Sequence, residues 1–184
     1  YYVDEHSAYS NLYSLLPGEI IRVNISEDNQ INIIKLGQSE QISLKVNNKY
    51  NLRDIEEIYY ELSRSIKYRM ISDVPVSFLL SGGIDSSLIS LIASNLESNS
   101  IDTNYMGFKG EDKTFSQFAD IVSDKINSNH KRLLMNELNF ENSTKQMLSI
   151  FHEPFADYSA LPSYELYKSI SNKSKVVIGG DGAD

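Results

Sequence analysis

Val74-Pro75-Val76-Ser77-Phe78-Leu79-Leu80-Ser81-Gly82-Gly83-Ile84-Asp85-Ser86-Ser87 is an apolar, strand-like run that enters a Ser-Gly-Gly turn and leaves as a helix opening on Asp-Ser-Ser. A strand, a glycine turn and a helix in that order build an anion cradle. Glycines let the backbone approach a ligand closely, and the first turn of a helix offers unpaired N–H groups at its positive dipole end. The hydroxyls of Ser81, Ser86 and Ser87 add donors for phosphate oxygens. The Asp85 carboxylate would repel a bare phosphate, so its place in the cradle calls for a bridging cation, and Mg²⁺ suits oxygen donors shared with phosphate. The Gly-Lys-Ser/Thr of a Walker loop, whose lysine serves the β- and γ-phosphates, is missing. The stretch reads as a site for a metal-complexed pyrophosphate.

Outward from this point the pattern alternates strand and helix. Residues 76–80 form a strand and 86–96 a helix, followed by a strand over 102–108 and a helix with Phe115, Phe118, Val122 and Ile126 on one face. Residues 131–135 read as a strand, 140–151 and 159–170 as helices, and 175–178 as a fourth strand. Such alternation predicts an α/β fold, a parallel doubly wound sheet with helices on both faces. Upstream, Asn51 is placed to cap a helix with Asp54 in its first turn, and Leu52, Ile55, Tyr59, Leu62 and Ile66 make one apolar stripe expected to pack in the core. Residues 37–51 are polar and irregular and read as a linker. Residues 1–36 read as β-structure: 19–25 and 31–35 are separated by a polar turn of hairpin length, after the turn Leu16-Pro17-Gly18.

In sheets of this kind ligands sit beyond the carboxyl ends of the strands, where strand order reverses. A second glycine-rich strand end qualifies, Gly179-Gly180-Asp181-Gly182. If the first and fourth strands are neighbours, both loops face one pocket holding Asp85, Asp181 and Asp184 around a nucleotide's phosphates. A competing reading takes Val176 to Gly182 as the start of a dinucleotide-binding Gly-x-Gly turn. Asp181 opposes that reading, because such turns present bare N–H groups to pyrophosphate; acid–base or metal duty fits the two carboxylates better. His152-Glu153-Pro154-Phe155-Ala156-Asp157, taken alone, is a loop at a helix end. His130, between a helix and a strand, suits packing or capping.

The 184 residues are 41% hydrophobic and 23% charged, as in a globular protein. A net charge of −8 and the lack of any Lys/Arg run argue against a nucleic-acid surface. With no cysteine, disulfides, thiolate metal sites and a Cys nucleophile are excluded within this chain. No apolar run is long enough to span a bilayer and no signal peptide is visible, so the expectation is a cytoplasmic protein without membrane or nucleic-acid partners. The chain begins in mid-pattern without methionine and stops where a helix should start, so it is read as a piece of a longer protein.

Together these strings resemble the synthetase domain of the glutamine-hydrolysing asparagine synthetases. Residues 73–87 look like that family's pyrophosphate loop, His152 to Tyr164 like a second block, and Lys175 to Asp184 like a third. Tyr13-Ser14-Leu15-Leu16-Pro17-Gly18 looks like the last hairpin of the preceding glutaminase domain. The resemblance implies a PP-loop ATP pyrophosphatase fold, akin to adenine nucleotide alpha hydrolases. It covers residues 52–184, truncated at the C-terminus, with residues 1–36 as the end of a class II glutamine amidotransferase domain whose remainder is missing.

The implied reaction activates aspartate with ATP as β-aspartyl-AMP, releasing pyrophosphate; ammonia from glutamine then yields asparagine and AMP. ATP is the substrate and Mg²⁺ the metal. By motif position, Ser81, Gly82, Gly83, Ser86 and Ser87 hold the pyrophosphate. Asp85 and Asp184 ligate Mg²⁺, and Leu80, Met106, Gly179 and Gly180 line the nucleotide pocket. Asp181 stands where the family carries an acidic residue for adenylate formation and proton handling. Gly179 departs from a common Ser and Tyr158 from the usual Pro. The piece alone is expected to be inactive, and the full-length protein is compatible with a homodimer. Other readings are a related amidotransferase, a β-lactam synthetase-like enzyme acting on another carboxylate, a dinucleotide-binding module and a non-catalytic relative.

Overall fold

The computed structural model describes residues 5–38, 51–110, 114–135, 137–151, 155 and 157–182. The chain divides into two compact units, residues 1–49 with 151–156, and residues 50–150 with 157–184. In the first, β1 (Glu19–Ile25) and β2 (Ile31–Gln38) pair antiparallel from Glu19↔Gln38 to Ile25↔Ile31, with a bulge at Ile20/Ile21. Their turn closes locally: Ser26 Oγ accepts from the Gln30 N–H at 3.1 Å, and the Asn29 N–H donates to the Ser26 carbonyl at 2.9 Å. β2 therefore runs to Gln38, past the point where residues 37–51 were expected to turn irregular.

The second unit begins with α1 (Leu52–Met70). Asn51 Oδ1 accepts from the N–H groups of Arg53 (2.8 Å) and Asp54 (3.3 Å), and Asp54 Oδ2 accepts from the Asn51 N–H (2.7 Å). This reciprocal capping satisfies donors that a helix start otherwise leaves unpaired. The apolar stripe departs from the expectation. Ile66 is buried and Leu62 and Met70 pack on the core, whereas Leu52, Ile55 and Tyr59 are exposed. Nineteen helical residues span about 28 Å, while the four residues of β3 (Val76–Leu79) span about 13 Å. The helix thus overhangs the core it packs on.

After β3 come α2 (Ile84–Leu96), β4 (Asp102–Phe108), α3 (Thr114–Ile126), β5 (Asn129–Met135), α4 (Glu137–Leu148), α5 (Ala160–Ile170) and β6 (Val176–Ile178). The four strands form one parallel sheet in the order β5-β4-β3-β6. The chain winds from β3 out to β5, then returns to the far side of β3, so the winding reverses at the β3–β6 pair. One face is sealed by Phe78, Ile178, Ile66, Ile92, Ala93 and Ile101, and next to them by Leu80, Tyr105 and Ala119. Alternation turns Ser77 to the opposite face, where its buried Oγ meets Ser174 Oγ at 2.5 Å, just after α5.

The bounds of α4 and β5 depart from the expected ones. α4 starts at Glu137 and ends at Leu148, where the Ser149 and Ile150 N–H groups turn back to the Gln146 and Met147 carbonyls. β5 starts at Asn129 because its N–H reaches the Ile101 carbonyl at 2.8 Å and His130 pairs with Thr103. His130 is half-buried. Its Nδ1 lies 2.8 Å from Thr103 Oγ1, itself 2.8 Å from Ser128 Oγ, and its Nε2 is buried without a partner among the described residues. Burial pushes the imidazole below its usual 6.5, while nearby Asp124 pulls the other way.

With the folded value depressed, the unfolded chain takes up the proton first as pH falls. This contribution to stability is complete above about pH 6.5 and is lost on acidification from there through the lower folded value. Urea unfolding across pH 8 to 5 should show the midpoint falling below about pH 6.5, and His130→Gln should flatten that part of the profile. An unchanged profile in the variant would mean that His130 is not a source of the slope.

Candidate functional site

The site begins where β3 ends. Leu80 is fully buried and its N–H donates to the Asn104 carbonyl at 2.9 Å, which anchors the entry to the loop. Gly82 has φ +84°, in the left-handed region that residues with a Cβ seldom adopt. Gly83 then caps α2 in extended geometry with no side-chain hydrogen bond. The first intrahelical bond is Ser87 N–H to the Gly83 carbonyl at 3.1 Å. The N–H groups of the opening turn are therefore left without a side-chain cap, the arrangement that binds anions.

Serines shape this loop as much as they furnish it. Ser86 is buried; its Oγ accepts from the Ser81 N–H (3.2 Å), lies 2.9 Å from Ser81 Oγ, and donates to the Gly83 carbonyl (3.3 Å). The Gly83 N–H points to Ser81 Oγ at 3.3 Å. Ser86 thus staples the loop, while Ser81 and Asp85 stand exposed.

β6 brings the second loop alongside. Phe78 pairs with Ile178, so Gly179 falls level with Leu79, and a Cβ on Gly179 would lie 3.3 Å from Leu79 Cδ1. Gly180 rests on the start of α2, where a Cβ would stand 3.1 Å from both the Ser86 backbone nitrogen and Asp85 Cβ. Between the loops is a cavity of about 330 Å³ lined by Leu79, Ser81, Gly83, Asp85, Ser86, Gly180, Asp181 and Gly182. That volume is at the lower end of the range for small-molecule sites.

Of the residues singled out in the sequence, Ser81, Gly83, Asp85, Ser86, Gly180 and Asp181 line this cavity. Gly82 shapes the turn behind it. The Leu80 side chain points away, into contact with Tyr105 and Ala119, and Ser87 lies one residue further along α2. Met106 is half-buried on β4 and is not among the lining residues. Asp184, His152, Glu153, Pro154 and Ala156 fall outside the described residues. Leu79 had not been singled out. Strand alternation marks it, because Phe78 and Leu80 face the core and leave Leu79 on the other face at the strand's end.

Among the described residues no group of three or more His, Cys, Asp or Glu side chains could hold a metal by itself. Two carboxylates, Asp85 and Asp181, line the cavity beside an anion cradle. Mg²⁺ commonly takes one or two carboxylates and completes its shell with phosphate oxygens and water, so Asp85 at the opening of the cradle fits it, while Asp184 lies outside the described residues.

Comparison with known proteins bears on the family and the fold. The asparagine synthase family model matches residues 57–184. A putative glutamine-hydrolysing asparagine synthetase 2 of Methanocaldococcus jannaschii is 36% identical over 132 residues, 71% of this chain and 25% of that protein. The glutamine-hydrolysing asparagine synthetase 2 of Bacillus subtilis is 28% identical over 189 aligned positions, 97% of this chain and again 25% of the relative. The chain therefore spans about a quarter of the length of these relatives. Among solved structures, the NMN synthetase of Francisella tularensis shares the fold at a TM-score of 0.52 and 18% identity, over 70% of this chain and 55% of that one. With a family model matched from α1 through the second glycine loop, the chain belongs to the asparagine synthase family.

Proposed function

We propose that the full-length protein carrying this chain is an AMP-forming amide ligase. It activates the side-chain carboxylate of aspartate with ATP and transfers the acyl group to ammonia released from glutamine. The observation that supports this reading best is the meeting of two glycine loops from neighbouring strands around one cavity with an uncapped helix start and two carboxylates. Residues 52–184 are the ATP-using domain in this reading. Residues 1–36, with the last residues of β2 as far as Gln38, are the end of the glutamine-hydrolysing domain, and the linker follows; the match to the Bacillus subtilis relative over nearly the whole chain supports reading both parts as one enzyme's.

In the first step a carboxylate oxygen attacks the α-phosphorus of ATP. The bond to the oxygen bridging the α- and β-phosphates breaks, and its electron pair leaves with pyrophosphate. Charge grows on the departing group, and fixed donors aimed at it are the main source of acceleration. Ser81 Oγ and the opening N–H groups of α2 are those donors. A Mg²⁺ held by Asp85 and Asp184 would offset phosphate charge. In the second step ammonia attacks the acyl carbon, the C–N bond forms and AMP departs. Asp181, exposed at the cavity wall, is the carboxylate placed to take the proton that nitrogen gives up.

The full-length protein should release pyrophosphate from ATP when both aspartate and Mg²⁺ are supplied. A folded, ATP-binding preparation with no aspartate-dependent release would sink the aspartate assignment. A strong preference for another carboxylic acid in the same assay would reassign the acceptor while leaving the ATP chemistry in place.

A further inference from the structure

Ser81 and Ser86 both line the cavity between the glycine loops, yet they stand differently in it. Ser81 is exposed, whereas Ser86 is 7% exposed. Three groups surround the Ser86 hydroxyl: the Ser81 N–H at 3.2 Å, Ser81 Oγ at 2.9 Å and the Gly83 carbonyl at 3.3 Å. A hydroxyl has one proton to donate and two lone pairs to accept with. The Ser81 N–H takes one Ser86 lone pair, and what sets the chemistry of the loop is where the one Ser86 proton goes.

Two acceptors compete for that proton, and they do not need it equally. The Gly83 carbonyl already accepts the Ser87 N–H at 3.1 Å, so it stays paired when Ser86 turns away. Ser81 Oγ accepts the Gly83 N–H at 3.3 Å, and Ser86 is placed to fill its second lone pair. With both lone pairs filled, all that Ser81 can offer the cavity is its own proton. With the Ser86 proton on Gly83 instead, Ser81 gives its proton to Ser86 and leaves a lone pair toward the cavity, which repels an anion. A phosphate oxygen only accepts, so it selects the first arrangement. The two differ by the rotation of two hydroxyl protons, with the heavy atoms in place, as a preorganised donor requires.

We propose that Ser86 is a positioning residue that makes the Ser81 hydroxyl a fixed donor aimed at pyrophosphate. Ser86, a phosphate donor by motif position, acts on the phosphate only through Ser81. This rests on the reading of the cavity as the place where ATP releases pyrophosphate.

The test is equilibrium binding of inorganic pyrophosphate, with Mg²⁺, to the full-length protein and to its Ser81→Ala, Ser86→Ala and double variants. Ser81→Ala should weaken pyrophosphate about tenfold or more, the worth of a hydrogen bond to a charged group. Ser86→Ala should weaken it about threefold to tenfold. The double variant should bind as Ser81→Ala alone does, because Ser86 then has nothing left to act through. Independent effects multiply, so a double variant weaker than Ser81→Ala by the full Ser86→Ala factor overturns the proposal. So does a Ser86→Ala protein that has a lowered Tm but binds pyrophosphate as wild type does, the result of a purely structural role. Should Ser86→Ala fail to fold, a crystal structure of wild type with Mg²⁺ and pyrophosphate decides. Ser86 Oγ should keep its contacts with Ser81, and a phosphate oxygen within hydrogen-bond reach of Ser86 Oγ overturns the proposal. A wild type that binds neither pyrophosphate nor ATP would instead refute the ATP site itself.

Discussion

Gly180→Ala in the full-length protein is expected, on the proposed reading, to cut aspartate-dependent pyrophosphate release by about 100-fold, the penalty that shifting reacting groups by around an ångström can carry. The added methyl would sit 3.1 Å from the Ser86 backbone nitrogen and 3.1 Å from Asp85 Cβ. Neither neighbour is the loose end of a flexible side chain. The Ser86 nitrogen belongs to the opening turn of α2, and Ser86 is buried with its Oγ stapled to Ser81 and Gly83. Relief must therefore come from the second loop backing away from α2. That movement carries Asp181 and Gly182 with it and widens the cavity where ATP, acceptor and donors have to converge. Overpacking of this kind also costs stability, about 1–3 kcal/mol.

Gly110→Ala is the control. Gly110 has φ +90°, has nothing among the described residues within 4 Å of where a Cβ would stand, and belongs to neither loop. Alanine there strains the backbone and should lower Tm while leaving turnover in the folded fraction intact. Wild-type turnover in Gly180→Ala would show that the two loops do not work as one site.

What the residues announced in advance, and what they did not, follows the range of the forces involved. The turn after β3 was legible because its signals are local: apolar residues, then Ser-Gly-Gly, then a helix start, all within fourteen positions quoted from Val74 to Ser87. Asn51 was legible for the same reason, its cap closing on residues two and three positions away. The adjacency of β3 and β6 joins Val76 to Val176 and could be stated beforehand as a condition, since no local signal specifies which strands pair. Once that pairing is known, the crowding at Gly180 follows. The glycine alone could equally have been a flexible turn.

Periodicity misled at α1. A stripe of apolar residues reports which face of a helix is apolar, not how far a partner extends along it. Leu52 and Ile55 at the start of α1 are exposed, whereas Ile66 nearer its end is buried in the core.

Asp85→Asn separates the two things a carboxylate in the first turn of α2 can do. Asp85 is exposed, lines the cavity and stands at the positive end of the helix. As a complement to the helix dipole it is worth about 0.3–1 kcal/mol, and the amide would forfeit that much stability with little further effect. As a Mg²⁺ ligand it answers a harder electrostatic problem. A carboxylate beside a polyphosphate is repulsive unless a cation lies between them, and an amide oxygen is a poorer partner for that cation. The second role predicts a loss on the order of 100-fold in pyrophosphate release at fixed Mg²⁺, at the upper end of what supporting residues of metal sites cost. Part of the loss should be recovered as Mg²⁺ is raised. Titrating Mg²⁺ against ATP-dependent pyrophosphate release in both proteins, with Tm measured alongside, tells the roles apart. A modest drop in Tm with an unshifted Mg²⁺ requirement would leave Asp85 as a helix-end charge. An unshifted Tm with a Mg²⁺ requirement raised tenfold or more would place it on the metal, because the dipole term is too small to move a rate by that factor.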